Sequence, residues 1–201
     1  MAQVKLTKNE LKKQKDYLKR YRRYLPTLQL KKQQLQMVLR QIEQKRKDLV
    51  EKRDAIYQGI ESWIAVFGEQ IPIADLIVIK GIKTGSGNIA GIDIPVFEEL
   101  TFEDPDYDLF QYPLWVDRAI EGLKQILGFD AELNVLDKQY ELISAELRTT
   151  SQRVNLFEKV KIPETRENIR KIQIYLGDQQ TAAVVRGKIS KGKLGVEGGT
   201  T

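Results

Sequence analysis

From Tyr21 onward every seventh position carries a large apolar side chain: Tyr21, Leu28, Leu35, Ile42, Leu49, Ile56 and Trp63. A period of seven keeps one stripe of a very long helix dry, which is the signature of a coiled-coil seam. The companion positions three residues earlier run Leu18, Leu25, Lys32, Leu39, Arg46, Arg53 and Ile60, with Phe67 one heptad past Trp63. Three of them are basic, and a charge in a seam weakens one pairing while excluding others. The helix is expected to start at Thr7, because Thr7-Lys8-Asn9-Glu10 forms a capping box, and to stop near Phe67, before Gly68 and Pro72. At 1.5 Å per residue the roughly 60 helical residues of this first segment, residues 1–67, make roughly 90 Å of helix. Pro26 removes one backbone donor inside it and predicts a kink or a slackened turn.

A second seam follows in residues 113–176: Ile126, Leu133, Tyr140, Leu147 and Val154, accompanied by Phe129, Leu136, Ile143 and Phe157. Its phase slips at Pro163, after which Ile169, Ile172 and Leu176 resume an apolar stripe up to Gly177. Two heptad helices in one chain predict a hairpin, the second helix returning antiparallel along the first. The connecting region, residues 68–112, changes character. Leu76-Ile77-Val78-Ile79 and the stretch from Ile89 to Val96 are rich in β-branched residues and flank a glycine-rich run, predicting a β-hairpin over about 76–97 that turns at Gly85 and Gly87. The expected fold is dominated by α-helix: a long antiparallel two-helix coiled coil, both termini at one end, the small β-hairpin at the other. Residues 177–201 are expected to form a partly flexible tail, its final stretch from Gly187 to Thr201 being Gly- and Lys-rich with little to bury.

Composition narrows the chemistry sharply. The chain has no cysteine and no histidine, which removes thiol nucleophiles, Cys/His metal sites and histidine general bases. No Gly-x-x-x-x-Gly-Lys-Ser/Thr sequence occurs, and the Gly85-Ser86-Gly87-Asn88 run is followed by Gly91 and Pro95 in an extended context, not by the helix a dinucleotide site requires. The acidic residues Glu98, Glu99, Glu103, Asp104, Asp106 and Asp108 lack periodicity and read as a solvated loop. No catalytic residue, metal or cofactor is expected. No apolar run approaches the roughly 20 residues that span a bilayer, so the expectation is a cytoplasmic or peripheral protein without direct membrane insertion.

The charge is uneven. Residues 1–54 hold 17 Lys/Arg against six Asp/Glu, and the rest 16 against 22. A basic helix of this kind fits a solvated coiled-coil face, and it also fits an adaptor that binds nucleic acid or an anionic membrane surface.

Two segments carry a family resemblance. Thr7-Lys8-x-x-Leu11 precedes the long Lys-rich helix, and Arg153-Val154-Asn155-Leu156-Phe157-Glu158 is followed by Ile162-Pro163 and Ile169-Arg170-Lys171-Ile172. Together they resemble the D subunits of the V-type rotary ATPases, in which Arg-Val-Asn-Ala-Leu-Glu and a downstream Ile-Pro form the most recognisable segment. Leu156-Phe157 stands here in place of Ala-Leu. The resemblance implies a non-catalytic central rotor: paired terminal helices inside a hexamer of A and B subunits, the small F subunit against its side, and residues from about 68 to 112 seated on the C (or d) subunit and through it on the membrane ring. It further implies that Arg20, Arg22, Arg23 and Lys31 face the hexamer lining and that nucleic acid is not a partner.

Overall fold

The computed structural model describes residues 4–64, 76–103, 112, 113 and 115–197. Helix α1 spans Lys8–Ile64, strands β1 and β2 span Ile79–Ile89 and Ile92–Phe102, and helix α2 spans Trp115–Asn155. A six-residue π-helical turn, Leu156–Lys161, joins α2 to helix α3, Ile162–Glu197. At the start of α1 the Thr7 hydroxyl accepts the Glu10 N–H at 3.2 Å, satisfying one of the first-turn donors that have no partner within the helix. The helix continues unbroken through Pro26. The chain divides into two compact units, Lys31–Thr149 and Met1–Leu30 with Thr150–Thr201.

In the Lys31–Thr149 unit, α1 and α2 run antiparallel, as their ion pairs require: Lys31 meets Glu146, Arg46 meets Asp137 and Arg53 meets Asp130. Between them lies a core of Leu35, Ile42, Leu49, Leu136 and Ile143, with Leu35 and Ile143 fully excluded from solvent. Leu39, Phe129, Leu133, Tyr140 and Leu147 pack against it half-buried. The α1–α2 crossing is close at Gly122, where a Cβ would overlap the end of Ile60.

The hairpin is part of this core. Ile94 is 5% exposed and belongs to the same buried cluster, with Ile89, Ala90 and Ile92 packed around it. Its tip therefore packs on the helix pair of this unit, against the cluster that Leu35, Ile42 and Leu49 form with Leu136 and Ile143. The reason is apolar area: two helices bury only one stripe each, and an apolar strand face completes the enclosure. The chain reverses at Ala90–Gly91, whose φ angles of 53° and 81° give the left-handed pair typical of a tight two-residue turn. Asn88 braces it, its side-chain oxygen accepting the Gly91 N–H at 3.1 Å and its amide donating to Asp93 at 2.7 Å.

The expected turn at Gly85 and Gly87 is thus corrected: both are strand residues, paired with Val96 and Ile94. Glycine leaves room there for side chains of β2 that lie across the strand. A Cβ on Gly87 would sit 2.9 Å from Val96 Cγ2, and one on Gly85 would meet the Glu98 carboxylate. The second strand also runs to Phe102, so Glu98 and Glu99 belong to β2 and not to a loop.

In the other unit, α1 up to Leu30 faces the chain from Thr150 onward. Val154, Ile162, Thr165 and Ile172 are buried, and Leu18, Tyr21, Leu25 and Leu28 are half-buried. Tyr21 joins the two sides, its ring 5.2 Å from Phe157 and 6.3 Å from Tyr17. Helix α3 passes through Gly177, where the sequence predicts a stop. Gly177 lacks the positive φ of a helix-ending glycine, the Thr181 hydroxyl donates to its carbonyl, and no proline follows. Residues 177–192 are all exposed, and residues 198–201 lie outside the described residues.

Candidate functional site

Among the described residues no three His, Cys, Asp or Glu cluster closely enough to hold a metal ion. Glu98 is spoken for by Lys83 at 3.4 Å, while Asp104, Asp106 and Asp108 lie outside the described residues. No described helix is long and apolar enough to cross a membrane.

The surfaces are built from the two apolar stripes and their flanks. Of the expected seam, Leu35, Ile42, Leu49, Leu136, Ile143 and Val154 are buried. Leu18, Tyr21, Leu25, Leu28, Leu39, Ile56, Ile126, Leu133, Tyr140, Leu147 and Phe157 are half-buried, and the Trp63 side chain lies outside the described residues. Two of the basic interruptions turn out to have acidic partners on α2. Arg46 Nε lies 2.6 Å from Asp137 as an ion pair without hydrogen-bond geometry, and Arg53 donates to Asp130 at 3.1 Å and to Asp54. The hydrogen bond to Asp54, followed by that to Asp130, raises the Arg53 pKa above its ordinary value. A further link comes from Gln139: this side chain is 8% exposed, and its amide donates to the Pro95 carbonyl, pinning β2 to α2. Sequence reasoning missed it, although a lone Gln at an otherwise apolar helix position is a signal of a buried hydrogen bond.

The Arg153–Pro163 segment occupies the π turn and its edges. Val154 and Ile162 face inward, while Arg153, Asn155, Glu158 and Pro163 are exposed. In an uninterrupted α-helix residue 163 would donate to the Lys159 carbonyl, which proline cannot do, and its ring would crowd that carbonyl. The π turn opens the backbone at this place, the Ile162 N–H reaching back five residues to the Phe157 carbonyl. The Thr165 hydroxyl donates to the Lys161 carbonyl at 2.6 Å.

The relatives of this chain identify its fold of two antiparallel helices. The family model for the D subunit of ATP synthase matches residues 10–192. This chain belongs to the ATP synthase D-subunit family. The V-type ATP synthase D subunit of Borreliella burgdorferi is 53% identical over 194 residues, covering 96% of each chain. Those of Chlamydia felis and Chlamydia pneumoniae are 32% and 34% identical over 122 and 116 residues, or 61% and 58% of this chain and 59% and 56% of theirs. In this chain the Arg153-Val154-Asn155 and Ile162-Pro163 segments flank the π turn.

Proposed function

We propose that this chain is the central-stalk subunit of a V-type rotary ATPase, coupling nucleotide turnover in an A/B hexamer to rotation of a membrane ring and transport of protons or sodium ions. The observation that carries this reading is the 53% identity, over 96% of the chain, to a protein named as the D subunit of a V-type ATP synthase. Catalysis would belong to other subunits, consistent with a sequence that has no phosphate-binding loop, cysteine or histidine. The part played by this chain is mechanical. To bias which catalytic subunit is open or closed, a rotor must contact each of them differently, since only a differential interaction shifts a conformational equilibrium. A pair of cross-braced helices resists twisting better than one, and a charged, hydrated exterior turns against a lining without large desolvation costs.

The terminal helices, with exposed Arg20, Arg22 and Arg23, are the part proposed to enter the hexamer. The F subunit is proposed at the side of the stalk, and the C (or d) subunit against residues from about 68 to 112, which places the protein at the cytoplasmic face of a membrane without inserting into it. The test is reconstitution. Adding the purified chain to an A/B hexamer should yield a stable complex with changed ATP turnover, and a chain that neither joins the hexamer nor alters its rate would rule the reading out. Binding to DNA, RNA or anionic vesicles that weakens steeply with salt would instead favour an adaptor using the basic half of α1.

A further inference from the structure

Along α2 the inward positions alternate by three and four residues without a break: Ile126, Phe129, Leu133, Leu136, Tyr140, Ile143, Leu147, Thr150, Val154, Phe157. Beyond the π turn the same alternation resumes at Ile162, Thr165, Ile169, Ile172 and Leu176. The step from Phe157 to Ile162 is five residues, one more than the four that the alternation calls for. An α-helix absorbing that residue would rotate everything downstream by about 100° and carry the second stripe off the packing face. Yet Val154 on one side, and Ile162, Thr165 and Ile172 on the other, are all buried. The π turn takes up the surplus residue and returns the stripe to its face, and none of its own six residues is buried.

Pro163 fixes where this happens. A π turn in a uniform helix is free to slide along it. Here the missing N–H and the bulk of the proline ring, one position past the turn, favour the open geometry at this site alone. The turn is also weakly held from outside. Leu156 and Val160 are 44% and 48% exposed, and among the described ion pairs around it, Lys161–Glu164, Arg170–Glu167 and Lys171–Glu167 are all local to the helix. Phe157 on Tyr21 is the one ring contact described for it.

We propose that Leu156–Lys161, pinned by Pro163, is a built-in hinge of the returning helix: a spare residue held open as a π turn, where the helix yields locally while its packing face is preserved on both sides. The use of such a hinge in a rotor rests on the stalk reading above, whereas its existence does not. The test follows from the phase. Deleting Val160 and replacing Pro163→Ala together make the three-four alternation continuous, so the full chain should keep its helicity, melt at a higher temperature, and show at least tenfold slower amide exchange at residues 157 to 164. Unchanged exchange, or a chain that loses helix or melts lower, would overturn the hinge. Pro163→Ala alone keeps the surplus residue, so fast exchange should spread over neighbouring turns of α2 and α3, and a pattern still confined to the original turn would refute the pinning. In a reconstituted A/B complex the double variant should assemble and turn over ATP at least threefold more slowly. Turnover equal to that of the native chain would show that the rotor does not use the hinge, and failure of the native chain to assemble would count against the stalk reading only.

Discussion

The two compact units are made from the same pair of helical strands and are held together by different means. In Lys31–Thr149 the helix pair has a third layer, with Ile94 of the β-hairpin in its core, Gln139 bonded to the Pro95 carbonyl, and ion pairs across the helices. In Met1–Leu30 with Thr150–Thr201 there is no third layer among the described residues, ring contacts through Tyr21 and Phe157 take the place of cross-helix ion pairs, and the returning helix contains a π turn. A two-helix stripe is a thin core, so an added strand face has a large effect. One unit is braced, and the other relies on phase.

The severest way to break the braced unit is Leu35→Asp, which places an unpaired carboxylate at a fully buried position. A loss of roughly 3–5 kcal/mol is expected, read as a collapsed thermal midpoint by circular dichroism. Ile94→Ala asks whether the hairpin is core or ornament: a loss of about 2–4 kcal/mol in denaturant unfolding is expected, and a change below about 0.5 kcal/mol would demote the third layer. Gly122→Ala puts a methyl group onto the end of the Ile60 side chain, which can turn aside, so crowding and the helix propensity gained should nearly cancel: a net change within about 1 kcal/mol is expected, and adding Ile60→Ala should shift it toward stabilisation, a coupling visible in a double-mutant cycle. Gln139→Leu tests the latch. About 1 kcal/mol is expected, with faster exchange in β2 and little change at Ile172.

The smallest effect belongs to the ion pairs. Arg46→Gln should cost less than about 1 kcal/mol, fading further in high salt, because both partners are largely solvated. For Arg53 the sign is fixed by its raised pKa: the contribution is present below the pKa of the unfolded guanidinium and disappears only as pH rises through the folded value. No titration through the neutral range should therefore come from that residue, which a flat stability profile in Arg53→Gln minus native would check.

The helical part of the fold was legible because burial on a helix repeats. Heptads such as Leu28, Leu35, Ile42 and Leu49 announce the dry face directly, and the slip in phase read at Pro163 falls just past the π turn. The hairpin was legible as a hairpin but not in its register. Glycines at 85 and 87 look like turn residues, whereas their role depends on β2 side chains known only once the strands are paired, and the true turn carries alanine where glycine or asparagine is usual. The partners of Arg46 and Arg53 were hidden for the same reason: each lies more than 70 residues away along the chain, and only the antiparallel pairing brings it near. The extent of α3 was misjudged because Gly177 signals a stop only when it adopts positive φ.

Ala90 holds a left-handed backbone that an alanine adopts at a cost of about 1 kcal/mol. Its methyl group lies against the buried cluster of the helix pair, so the turn residue is also a packing residue. Opening the hairpin therefore cannot be a local event. The tip would have to leave the core as the strands part, and hairpin, α1 and α2 should lose structure in a single cooperative transition, without a populated state in which the helices stand and the strands do not.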